Sequence, residues 1–267
     1  MKNTYILNAI ILLTALTVTI SSCKWGTERE APRGKNIICL VDFSDSKNAS
    51  ERLQFYMTVI KDNIIPNLGM YDKISVLPID KASITNSSDI FIKDLSATDF
   101  EPEMSNAMEE EELIQANLKK YRDSLIIDFT NAFHSAINSR NKSQHGTDIF
   151  GALDVVKGSK LKERDENYLI MFSDMMNWSK TLNMEPDNRN FNANTLDGLL
   201  DKMPNHQMPN LTALVLTGEQ VEVTADHFKL VQTFWTKYFE KNGIRLYDYN
   251  SASVSKLNEL MKIQIEE

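Results

Sequence analysis

Cysteine is nearly absent. The 267 residues include only Cys23 and Cys39, so there is no disulfide framework and no CxxC metal site. Runs of basic residues are missing too. Lys and Arg number 29 against 37 Asp and Glu, a formal charge of -8, and no cluster forms the basic stripe of a nucleic-acid binder. Nucleic acid is therefore not an expected partner. The common enzyme signatures are lacking as well: no GxSxG elbow, Walker A loop, GxGxxG or HExxH occurs, and no cysteine–histidine nucleophile pair is visible. What remains is ordinary globular material, 42% hydrophobic, 25% charged and 9% aromatic. That supports a packed core and suffices for one large α/β domain or two small ones.

The first apolar run, Tyr5 to Ile20, has Ile10-Ile11-Leu12-Leu13 at its centre and follows a weakly positive start at Lys2. It is short for a membrane span and fits the apolar region of a secretory signal. It ends in Ile20-Ser21-Ser22-Cys23, which resembles the bacterial lipobox, an aliphatic residue and two small ones before a cysteine. The resemblance implies a signal peptide over 1–22, cleavage before Cys23, and lipid on its sulfur and new amino terminus. Several acyl chains on one residue anchor far more firmly than one. Residues 23–35 then read as the lipidated Cys and a polar tether with Pro32 and Gly34. The expected location is the bacterial cell envelope, lipid-anchored to a membrane and facing the periplasm or the cell exterior. An uncleaved amino-terminal anchor would tether the chain equally. With Cys23 acylated, Cys39 has no partner and reads as a buried, inert thiol.

The next run organises the rest. Ile37 to Val41 are unbroken apolar residues that lead into Asp42-Phe43-Ser44-Asp45-Ser46. Such a run reads as a strand buried on both faces, as in a parallel sheet. Ligands of open α/β sheets sit beyond the carboxyl ends of the strands, where this stretch puts one carboxylate and two hydroxyls. Those oxygen donors suit a hard divalent cation. The apolar spacing of Leu53, Tyr56, Met57, Ile60 and Ile64 predicts a helix from Ala49 to Ile65, stopped at Pro66. Strands follow at Lys73–Ile79 and, alternating, at Asp89–Leu95, the pair forming a hairpin. An acidic segment, 96–112, reads as a solvated helix start whose acids complement the helix dipole, with a calcium-binding cluster as the alternative, and a long amphipathic helix runs from Leu113 through Ile137. Thr147 sits in a loop before a helix that runs to about Val156. A second unbroken strand, Tyr168–Phe172, ends in Ser173-Asp174. A helix over Asn194–Met203, a strand at Leu211–Leu216, a helix from Asp226 to Lys241, a strand from Ile244 to Tyr249 and a closing helix over Ser253–Ile263 complete the order. This is one α/β domain with a mostly parallel sheet.

The pattern D-x-S-x-S alone arises by chance in about one in twenty chains of this length. Thr147 and Asp174, each also on the carboxyl side of the sheet, add to it. The three segments, DFSDS at Asp42–Ser46, TDIFGAL at Thr147–Leu153 and FSD at Phe172–Asp174, resemble the von Willebrand factor type A (VWA) family and its metal-ion-dependent adhesion site. The resemblance spans about Asn36 to Tyr249. It implies a three-layer Rossmann-like fold over 36–267, mostly parallel, with the hairpin strand as the antiparallel edge and helices on both faces. It also implies a site of Asp42, Ser44, Ser46, Thr147 and Asp174 holding Mg²⁺ (or Mn²⁺ or Ca²⁺). A partner protein's Asp or Glu would complete the coordination, which is binding rather than catalysis. One departure is Met175, where the family often has glycine. The competing expectations are that Ser44, Ser46 and Thr147 merely cap helices while Asp42 and Asp174 bond loop amides, that the domain is a metal-independent envelope scaffold, or that it is a metal-dependent phosphohydrolase. Against the last, aspartate-nucleophile phosphatases carry a second aspartate where this chain has Ser44.

Overall fold

The structure is a computed structural model that describes residues 34–44, 49–81, 83–84, 88–95, 107–140, 146–161, 166–218, 223–250 and 254–262. The expected signal peptide, Cys23, most of the expected tether and Ser46 lie outside the described residues. One compact unit spans Gly34–Glu267.

Strand β1 (Lys35–Asp42) is buried along its whole length. It pairs in parallel with β2 (Lys73–Ile79) on one side and β4 (Glu166–Phe172) on the other, which is why its apolar run is unbroken. Successive side chains of a strand point to opposite faces. Ile37, Cys39 and Val41 accordingly join one core, and Ile38 and Leu40 the other. Burial in this apolar layer also pushes the Cys39 thiol far above its ordinary pKa, so it stays protonated and inert.

The six strands run in the order β3-β2-β1-β4-β5-β6. β5 (Leu211–Leu216) and β6 (Arg245–Asn250) extend the parallel ladder, and β3 (Phe91–Asp94) pairs antiparallel to β2 at the edge. Its alternating FIKD pattern suits an edge, where one face stays open. The first core is covered by α1 (Ala49–Val59), α2 (Ala107–Ser139) and α6 (Ser255–Lys262). The second is covered by α3 (Ile149–Ser159), α4 (Leu196–Leu200) and α5 (Ala225–Lys241). Three layers with a mixed, mostly parallel sheet are therefore present, as expected from the sequence.

Differences lie at helix ends. α1 passes into a π turn at Ile60–Ile64 and a 3-10 turn at Ile65–Asn67, because Pro66 cannot continue the helical ladder. α2 begins within the acidic segment, at Ala107, as the reading of that segment as a helix start expects. Leu118, Leu125, Phe129 and Phe133 are its buried stripe, and the acids before them fall in its first turns, where they complement the helix dipole. α4 is only five residues long. Strand order reverses at β1: α1 leads to β2 on one side, while β4 lies on the other. The crevice between the carboxyl ends of β1 and β4 is thus the topological switch point, where ligands of such sheets bind.

Candidate functional site

Asp42 ends β1 and is fully buried. Its Oδ1 accepts the Ser44 backbone N–H at 2.8 Å, and its Oδ2 accepts the Ser173 hydroxyl at 2.8 Å. Ser173 directly follows β4, and its Oγ in turn accepts the Met175 N–H at 2.9 Å. One buried carboxylate therefore ties together the two loops that leave the central strands. Buried carboxylates persist only when their oxygens are satisfied, and here the satisfying groups are those loops.

Asp174 is the next residue. Its Oδ1 accepts the Met176 N–H at 2.9 Å, and its Oδ2 lies 3.5 Å from a guanidinium nitrogen of Arg52. The other terminal nitrogen of Arg52 lies 3.4 Å from the Ser44 carbonyl. Arg52 stands on α1, one turn before Tyr56, whose hydroxyl donates to the Thr217 carbonyl at 3.3 Å just past β5. The Tyr56 phenol is pushed far above its usual pKa, chiefly by burial. Arg52 opposes the shift, and Asp42 and Asp174 add to it.

Thr147 reaches the site by another route. Its N–H donates to Trp178 O at 3.0 Å and its carbonyl accepts from Trp178 N at 2.9 Å, a two-bond bridge to the loop that begins at Asp174. Asp148 N–H donates to the carbonyl of Asp80, at the end of β2, at 2.8 Å. Thr147 is 5% exposed and is held through its main chain. The cap of α3 is Asp148, which accepts from Gly151 N–H at 3.0 Å. The expectation that Thr147 caps this helix is therefore corrected. The expectation that Ser44 or Ser46 caps α1 falls on 45–48, which lie outside the described residues. Burial raises the Asp148 pKa; the Gly151 N–H bond opposes the shift, and Asp154 and Asp80 add to it.

The structure thus brings Asp42, Ser44 and Asp174 together and sets Thr147 on the adjoining loop. Ser46 falls outside the described residues. Met175, at the family's glycine position, has φ 64°, the left-handed conformation that glycine adopts without strain. Met175 is fully buried and its carbonyl accepts the Trp235 indole N–H at 2.8 Å, which holds the residue in that conformation. The supports missed from sequence are Ser173, Arg52 and Asn177. Asn177 is buried and accepts the Ile149 N–H at 3.0 Å, orienting the start of α3. Arg52 stands four residues before the inward Tyr56 and so on the same side of α1, but that spacing does not identify the acid it meets.

Two carboxylates and neighbouring hydroxyls are a donor set for a hard cation, so the residues fit such an ion in chemical type. Asp42, wholly buried with both oxygens engaged, is placed to orient Ser44 and Ser173 from behind. Ser44 and Asp174 are the more accessible donors. Among the described residues no group of three or more His, Cys, Asp or Glu gathers, so hydroxyls would have to supply part of any coordination.

The strand order, the antiparallel edge and the loop cluster at the switch point define a three-layer α/β domain with the arrangement the VWA resemblance implies. No protein-family model and no curated protein matches the chain. Solved structures it is similar to include proximal thread matrix protein 1 from the mussel byssus, at 14% identity and TM-score 0.41, covering 87% of this chain and 47% of that one. Another is the SpRpn10 VWA domain, at 12% identity and TM-score 0.39, covering 85% and 93%. A third is the pilus adhesin SpaC from Lactobacillus rhamnosus GG, at 12% identity and TM-score 0.41, covering 87% and 30%. The chain spans about half the length of the first of these. At these values the likenesses say nothing about the site, and the fold rests on the strand order itself.

Proposed function

We propose that the domain is a protein-binding module whose site at the β1–β4 switch point takes a divalent cation, Mg²⁺ or else Mn²⁺ or Ca²⁺. The observation that carries this reading is the convergence of Asp42, Ser44 and Asp174. Two segments about 130 residues apart meet through the Ser173 hydroxyl bond to Asp42. Ser44, Ser46, Thr147 and Asp174 would hold the ion, with Asp42 orienting the first loop. A bound cation would offer an electrophilic position to a partner's Asp or Glu carboxylate. The reading assigns no catalysis: Ser44 stands where an aspartate-nucleophile phosphatase needs its second carboxylate. The lipobox-like Ile20–Cys23 supports a lipid anchor at Cys23 and a place in the cell envelope. Among the described residues no helix is long and apolar enough to cross a membrane.

Calorimetric titration with Mg²⁺ or Mn²⁺ tests the reading. Wild type should give binding heat that Asp42→Ala lacks; a wild type without heat sinks the metal assignment. Pull-down from envelope extract in Mg²⁺ and in EDTA then separates metal-dependent recognition from the scaffold reading, which expects equal recovery.

A further inference from the structure

The site already contains a cation. Arg52 reaches from α1 to lie 3.5 Å from Asp174 Oδ2 and 3.4 Å from the Ser44 carbonyl. It therefore touches both loops that would have to supply metal ligands. Its side chain is 10% exposed and that of Asp174 is 23% exposed, so the pair lies where solvent screens charges weakly. The backbone beneath Arg52 is held. Tyr56, one turn further along α1, is fully buried and bonded to Thr217 O. Arg52 also lies over Gly218: a Cβ there would come within 3.9 Å of Arg52 Cγ. The guanidinium is thus presented to the site by a packed helix.

We infer that Arg52 is the resident counter-cation of the site, occupying the charge position between Ser44 and Asp174 and competing with a divalent cation for it. The inference rests on the metal reading proposed above and adds its regulation. Among the described residues Asp42 and Asp174 bring two negative charges and Arg52 returns one. A divalent ion beside the guanidinium would place like charges within a few ångströms in a poorly screened crevice, which is unfavourable. The two cations exclude each other. Metal entry requires the flexible arginine side chain to swing away from Asp174, while its Cα stays fixed on α1. The metal-free site is therefore closed by an internal ion pair rather than left with an uncompensated carboxylate.

The test uses the full chain in detergent, as wild type, Arg52→Gln, Arg52→Lys, Asp174→Asn and the Arg52→Gln/Asp174→Asn double variant. Mn²⁺ is titrated by calorimetry, and thermal unfolding is followed in EDTA. Arg52→Gln should bind Mn²⁺ about tenfold more tightly than wild type, equivalent to about 1.4 kcal/mol. Arg52→Lys, which keeps the charge, should stay near wild type. In EDTA, Arg52→Gln should lower Tm by about 2–4 °C, and the loss should shrink in the Asp174→Asn background. If Arg52→Gln binds Mn²⁺ no more tightly than a binding wild type, the inference is overturned while the metal reading stands. If neither protein binds Mn²⁺ but the two residues are coupled in EDTA, the metal reading fails and Arg52 is the permanent cation of the site. No coupling and no gain in affinity overturns the inference outright.

Discussion

Asp42 carries two roles in one side chain. Both of its oxygens hold loop groups, so Asp42→Ala should destabilise as well as abolish metal binding. Leaving buried donors unsatisfied costs about 1–3 kcal/mol each, and chemical denaturation should report a loss in that range. Met175 sets two effects against each other. Replacing it with glycine relieves left-handed strain of about 1–2 kcal/mol. It also removes a fully buried side chain, and truncating such a methionine costs about 2–5 kcal/mol. Met175→Gly should therefore destabilise by about 1–3 kcal/mol in urea unfolding, even though it restores the family's residue. These residues show where sequence reading stopped. Asp42, Ser44 and Asp174 were legible because apolar runs ended beside them. Ser173 and Arg52 were not, because a serine beside an aspartate and an arginine in a helix are common, and only the fold shows what each one faces.

At the scale of elements, α3 explains a motif. The glycine of the TDIFGAL segment is Gly151, and a Cβ there would lie 2.2 Å from Asp148 Oδ2, the side chain that caps the helix. Gly151→Ala should lose stability, by about 1 kcal/mol from the broken cap, although alanine is the better helix former. Thermal unfolding checks the sign. The cap itself has a pH signature. The raised Asp148 pKa means the folded state binds its proton more readily than the unfolded state does. Its contribution is therefore fully present below the ordinary carboxylate range and falls as pH rises through the raised value. Asp148→Asn, an equally good cap, should remove that fall and leave stability at pH 7 equal to or above wild type. Asp148→Ala should cost about 1 kcal/mol. Unfolding curves between pH 3 and 7 distinguish the two. Periodicity had identified the helix but not its capping residue, since Thr147 and Asp148 are both good candidates. The Gly151 N–H bond to Asp148 Oδ1 decides between them.

For the whole molecule, the proposed cation links stability to metal concentration. A ligand that binds only the folded state at 100 times its Kd adds about 2.7 kcal/mol, which is about 5–10 °C in Tm for a domain of this size. Saturating Mg²⁺ or Mn²⁺ should raise Tm accordingly, EDTA should reverse it, and Asp42→Ala should show no rise. Differential scanning calorimetry reads all three.

The architecture was set by chain order and apolar patterning. An unbroken run such as Ile37–Val41 suits a strand covered on both faces, and the alternation at β3 belongs at an edge. Those are local properties, repeated along the chain, and they do not depend on what else folds nearby. The partners of the charges were decided only in three dimensions. Asp42 meets Ser173 across 131 positions and Arg52 meets Asp174 across 122, and no periodicity records such a pairing. It follows from the strand order, which lays β4 beside β1 and swings α1 over both ends. A hydrogen bond or an ion pair acts over a few ångströms, so its partner is chosen by the packed fold and not by distance along the chain.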